Sequence, residues 1–196
     1  MKIVPGLLGA CLVLSACSAT PPVTPTVTVT APSERLSSPD TIPATTDPAT
    51  IKWMDGFCAA IHGYRKRTNE EAAPGTAEPT SVADAQKALS EQLDGIAART
   101  GEVVDRLTAL PPAPVPLAET VRKGFVTKYT TARDRARDAK ATLDRAKPGD
   151  QASQHPAAEA LDLAQQDVDG TYDPIAPMMK SPELMSAAAS APSCKL

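Results

Sequence analysis

Residues 81–147 read SVADAQKALSEQLDGIAARTGEVVDRLTALPPAPVPLAETVRKGFVTKYTTARDRARDAKATLDRAK, and this stretch decides the fold. Leu89, Leu93, Ile96, Thr100, Val103, Leu107 and Leu110 follow one another at alternating spacings of four and three, a heptad seam held for three repeats. Ser81 opens the run with Asp84 three residues on, an acidic variant of the capping box. Pro111-Pro112 ends it, and PPAPVP over 111–116 is a stiff connector. From Leu117 a second long helix is expected to run to Lys147, where Pro148-Gly149 stops it. Its stripe is Val121, Phe125, Ala132, Ala136, Ala139, Leu143 and Ala146. Each helix is about 45 Å long at 1.5 Å per residue. Matched lengths across a short rigid connector imply an antiparallel hairpin.

Working outward, Asp47-Pro48 is a helix start, an acid at the N-cap and proline at the first helical position. The segment PATIKWMDGFCAAIHGYRKR carries Ile51, Met54, Cys58 and Ile61 on one stripe, widened by Trp53, Phe57, Ala60 and Tyr64. Arg65, Lys66 and Arg67 are expected in its last turn, where cations suit the dipole. A loop is expected over Thr68–Thr80. A fourth helix is expected from Pro156 to about Asp169, with Gly170 as its C-cap. Ser181-Pro182-Glu183 begins a last short helix ending about Ser190.

Composition agrees with this division. The 196 residues include 34 Ala, the best helix former, and only 35 Leu, Ile, Val and Phe, low enough to bring disorder into play. The expected fold is therefore all-α: an antiparallel bundle of about four helices plus a short C-terminal helix, stapled by one disulfide, after a disordered linker. A net charge of −3 argues against nucleic-acid binding, which wants a basic face.

The N-terminus, MKIVPGLLGACLVLSAC, places Lys2 before an apolar run from Ile3 to Leu14. That run is too short to span a hydrocarbon core of about 30 Å and has the build of a secretory h-region. Leu14-Ser15-Ala16-Cys17 resembles the lipobox of bacterial lipoproteins. The resemblance implies that residues 1–16 are a signal peptide, that Cys17 carries the lipid, and that the protein sits at the outer face of the cytoplasmic membrane. The other reading is an ordinary signal peptide cut near Ala16 or Ala19, with Cys17 incidental. Residues 17–46 are a linker: Thr, Pro and Ser supply 18 of the 29 residues from Ser18 to Thr46, too little apolar surface to fold. The bundle domain is assigned to 47–196.

Processing at Cys17 would remove Cys11 and lipidate Cys17, leaving Cys58 and Cys194 as an even pair in an oxidising compartment. A Cys58–Cys194 disulfide is expected. Trp53 five residues before Cys58, together with the terminal SPELMSAAASAPSCKL, resembles a family of actinobacterial secreted or lipid-anchored helical proteins. Those carry an early W-x4-C segment and a terminal S-P-E-L…A-P-x-C segment. The resemblance implies a disulfide-closed bundle in the cell envelope, and it implies no activity, ligand or active site.

No catalytic or metal site is expected. Cys58 and His62 stand at ligand spacing, i and i+4, but a disulfide would remove the thiolate. His155 reads as a surface residue. Asp167, Asp169, Gly170 and Asp173 lack the fifth-position acid and the terminal Glu of a calcium loop. Asp134 and Asp138 lie among Arg133, Arg135, Arg137 and Lys140 and read as ion pairs on a solvated face. Met178, Met179 and Met185 read mainly as core filling. The sequence thus points to a non-enzymatic accessory or binding module, anchored in the membrane by lipid, without cofactor, whose partner is an envelope protein complex or a wall component. The alternative is a carrier of an apolar ligand held between the helices.

Overall fold

The computed structural model describes residues 46–71 and 78–195. Cys17, the signal segment, the linker up to residue 45 and the loop segment 72–77 lie outside them. Five α-helices follow one another: α1 (Pro48–Glu71), α2 (Val82–Thr108), α3 (Pro116–Arg145), α4 (Gln151–Asp167) and α5 (Pro182–Ser190). Single 3₁₀ turns stand at Ala176–Met178 and Pro192–Cys194, and there is no strand among the described residues.

Side-chain pairings give the directions. Gln86 meets Leu143 while Arg122 meets Leu107, so α2 and α3 are antiparallel. Arg67 pairs with Glu102 and Glu71 with Arg99 further back along α2, so α1 opposes α2. Lys128 reaches the Asp169 carbonyl while Arg135 holds Asp167, so α4 opposes α3. The result is an up-down-up-down bundle in which α4, at 17 residues, is much the shortest of the four. α5 and the last 3₁₀ turn pack on α1.

The expected heptad seam is the core face of α2. Leu93, Thr100, Val103 and Leu107 are fully buried, Ile96 nearly so, and Leu89 and Leu110 pack at its ends. Opposite them stand Ala118, Ala132 and Ala136 of α3, none with any exposure, so the backbones approach closely. Bulk comes from α1, against which every aromatic ring of the chain is gathered. Trp53 stacks on Phe57 with centroids 5.3 Å apart, Phe57 meets Phe125 of α3 at 5.2 Å, and Tyr64 meets Tyr129 edge-on at 5.2 Å.

The start signals of α1, α2 and α5 behave as read. Asp47 accepts from the amides of Ala49 and Thr50, Ser81 from Asp84 N, and Ser181 from Leu184 N. Three boundaries differ. α1 runs on to Glu71 because nothing in Thr68–Glu71 breaks a helix. Arg65, Lys66 and Arg67 therefore lie a turn inside it and find partners there: the Tyr172 carbonyl, Glu70 and Glu102. α4 begins at Gln151 rather than Pro156, because Gly149 takes a positive φ of 80° and Asp150 caps the Ala152 amide. Pro156 lies in the second turn, where its missing N–H removes one helical hydrogen bond. The helix also ends at Asp167, so Gly170, with φ 75°, serves the turn beyond the cap.

The Cys58–Cys194 disulfide is formed, with Cα atoms 5.1 Å apart. Gln86 is a second tie, and it is buried. Its Nε2 donates to the Leu143 carbonyl at 3.1 Å and its Oε1 accepts from the Gly149 amide at 2.8 Å, joining α2 to the α3–α4 turn. Truncation of Gln86 to Ala leaves the part-buried Gly149 amide unpaired and removes one of the two donors to the Leu143 carbonyl, which keeps the Ala146 amide. We expect a loss of about 2 kcal/mol in chemical denaturation, with Gln86→Glu worse than Gln86→Asn near neutral pH.

Candidate functional site

α4 packs on α3 and α2 but scarcely on α1. Where the fourth face of the bundle would close, a cleft of about 460 Å³ remains between the C-terminal half of α1, the middle of α2 and the C-terminal half of α4. Its floor is apolar: Ile96 is 2% exposed, and Leu161 packs against the core. Tyr64 and Tyr172 form one wall, with rings 6.5 Å apart and within 24° of parallel. Tyr64 is buried and Tyr172, from the segment after α4, is 39% exposed. Thr68, Gln92, Gln165, Arg99 and Glu71 complete the lining.

The polar groups here are less satisfied than elsewhere. The Arg99 side chain is only 13% exposed and pairs with Glu71, which is 54% exposed, yet its Nε has no partner. Burial draws the Arg99 guanidinium below its ordinary value, with the nearby Arg67 adding to the effect and the Tyr64 hydroxyl opposing it. Burial likewise raises the Tyr64 phenol, and Tyr172 beside it adds to the rise. The buried Thr68 hydroxyl also has no partner among the described residues, while Gln92 and Gln165 are exposed to solvent at the rim. Beside the cleft, Arg67 and Arg106 both pair with Glu102, adding two guanidinium groups and one further carboxylate.

A wider, shallower depression of about 610 Å³ lies beside the disulfide, lined by His62, Arg65, Lys66, Ser193 and Lys195. His62 is half-buried, its Nδ1 2.7 Å from the Ser193 carbonyl, while the Ser193 amide donates to Asp55 at 2.7 Å. These two bonds and the disulfide clamp the tail to α1. Cys58 is thus disulfide-bonded one turn from His62 and offers no thiolate.

The other residues singled out in the sequence stand apart from the cleft. His155 is exposed. Asp167 pairs with Arg135, and Asp173 accepts from the Ile175 and Ala176 amides. Asp134 pairs with Arg133; Asp138 makes no ion pair among the described residues. Met178 is fully buried whereas Met179 is 64% exposed. No group of three potential metal ligands occurs among the described residues, and no described helix is long and apolar enough to cross a membrane. Sequence reading did not find the cleft. Of its lining, Tyr64 and Ile96 were legible only as core residues, and no motif singled out Arg99, Gln92 or Gln165.

The charged network gives the fold a pH dependence. Burial alone would raise Glu102, but hydrogen bonds and charge from Arg67 and Arg106 bring it below the usual carboxylate range. Hydrogen bonds from Lys140 and Ser90 lower Asp144, and one from Arg133 lowers Asp134. A depressed carboxylate stabilises the fold above its unfolded value and loses that contribution as pH falls through the folded one. The raised Tyr64 and Tyr129 phenols stabilise below their unfolded value and lose that contribution as pH rises. Thermal midpoints should therefore fall below about pH 4 and again above about pH 10. A midpoint that rose on acidification would contradict these ion pairs.

No known family model, curated protein or solved structure matches the chain.

Proposed function

We propose that the protein is a lipid-anchored binding module of the cell envelope, without catalytic activity, held at the outer face of the cytoplasmic membrane through Cys17. The anchor rests on the register of Lys2, the apolar run and Leu14-Ser15-Ala16-Cys17. The binding role rests on one observation: the cleft between α1, α2 and α4, where apolar floor, aromatic wall and under-satisfied polar groups converge. Cys17→Ser should abolish metabolic labelling with a fatty acid and leave an uncut precursor or a released protein; a variant that stays lipidated overturns the anchor. A photo-crosslinking residue at Gln165 on intact cells should capture a defined envelope component. An identical residue at exposed Lys180 should not, and equal capture at both overturns the cleft as the recognition face.

The alternative, a carrier of an apolar ligand between the helices, finds less support. The interhelical positions are filled, with Leu93, Leu107, Ala132, Ala136 and Leu143 at 0–1% exposure. Exposed large apolar residues among the described ones are only Val82, Tyr172 and Met179, which form no common lining.

A further inference from the structure

From the lining of the cleft we propose that its ligand is a small polyhydroxylated anion, a sugar acid or sugar phosphate, with the charge at Arg99 and the ring against Tyr172. This rests on the binding-module reading and narrows it.

Three features carry the assignment. The first is a buried cation with unused capacity. Among the described residues, Arg99 has an unpartnered Nε and a single anionic partner, Glu71. Glu71 is the last residue of α1, where the negative end of the helix dipole disfavours a carboxylate, and its side chain is 54% exposed. A ligand carboxylate or phosphate, presenting two or more oxygens to the planar guanidinium, displaces it.

The second is the neutral polar lining. The Gln92 and Gln165 amides, at the exposed rim of the cleft, each offer donor and acceptor and bond to no described side chain or backbone group, and the buried Thr68 hydroxyl has no partner among the described residues. Groups that both donate and accept match hydroxyls, which do the same. A purely apolar ligand seated over them would strip their water without replacing its hydrogen bonds, which is unfavourable.

The third is the wall. Tyr172 is 39% exposed and backed by Tyr64, and so adds an aromatic face to the lining. Such a face accepts the C–H side of a sugar ring while its hydroxyls turn to the amides. At about 460 Å³ the space lies within the range of about 300–1,000 Å³ usual for small-molecule sites.

The test is titration of the soluble domain, followed by the amide and aromatic NMR signals of the cleft residues. D-glucuronate, D-glucose 6-phosphate, D-glucose and acetate serve as probes. D-glucuronate or the 6-phosphate should give saturable shifts at Tyr172, Gln92 and Gln165, and the better of the two identifies carboxylate or phosphate as the charged group. D-glucose should bind about tenfold more weakly, the scale of one charge-assisted hydrogen-bonded pair. Acetate should bind more weakly still. Glu71→Gln should tighten the charged ligands several-fold, a change that a merely structural ion pair would not produce. Tyr172→Ala, at an exposed position, should weaken all sugars, and Arg99→Gln should erase the preference for charge. If Arg99→Gln fails to fold, Glu71→Gln still decides. Absence of saturable shifts with either charged sugar overturns the proposal, as does equal binding of glucose and glucuronate or of acetate and glucuronate. Crosslinking of a protein partner through Gln165 with no sugar-acid binding would end this inference and leave the binding-module reading standing.

Discussion

Reduction of the Cys58–Cys194 disulfide should lower the stability of the domain by a few kcal/mol, and Cys194→Ser should reproduce the effect without reductant. The bond closes a separation of 136 residues, for which loss of chain entropy gives a ceiling of about 5 kcal/mol. The realised figure falls below that ceiling because a reduced unfolded chain keeps residual structure. Without the bond, what holds the end of the chain is modest. Ser193 keeps its contacts with Asp55 and His62, and α5 buries Leu184, Ala187 and Ala188. Urea unfolding of the soluble domain, with and without reductant, measures the difference. Reductant should leave Cys194→Ser unchanged, and a wild-type shift under about 1 kcal/mol would mean that the tail docks by burial alone.

Phe57→Ala should cost about 3–5 kcal/mol, the usual penalty for emptying a large aromatic site, and so a large share of the stability of a domain this size. Phe57 has no exposure and lies between Trp53 on its own helix and Phe125 on α3, so its ring is what keys α1 to the α2–α3 hairpin. Its recorded partner across the interface is the Phe125 ring, 5.2 Å away by centroid, and truncation leaves that ring facing a void. Phe57→Leu, which retains most of the volume, should cost much less. Equal effects for Leu and Ala would show that ring stacking rather than volume matters at this site.

The helices were legible because each rests on local chemistry. Ser81, Asp47 and Ser181 announce starts, the seam from Leu89 to Leu110 announces a buried face, and Pro111-Pro112 announces a stop. The disulfide was legible by elimination among four cysteines. The start of α4 was misread because a proline seven residues past Gly149 looks like a helix opening, whereas Gly149 and Asp150 together start the helix earlier. The cleft was not legible. It forms where the C-terminal halves of α1 and α4 come together over the middle of α2, a relation between elements that no local pattern encodes. Gln86 escaped for a similar reason: its two partners lie 57 and 63 residues away along the chain.

The position of the disulfide also fixes how the domain bears mechanical load. Tension applied at Thr46 and Lys195 enters α1, crosses from Cys58 to Cys194 through a covalent bond, and leaves within one residue. α2, α3, α4 and α5 lie wholly between the two cysteines and therefore off the force path. Stretching can fray the first turns of α1, but it cannot unravel the bundle unless the bond is first reduced. At about 3.5 Å per residue, reduction would then release a contour of roughly 480 Å from the 136-residue separation.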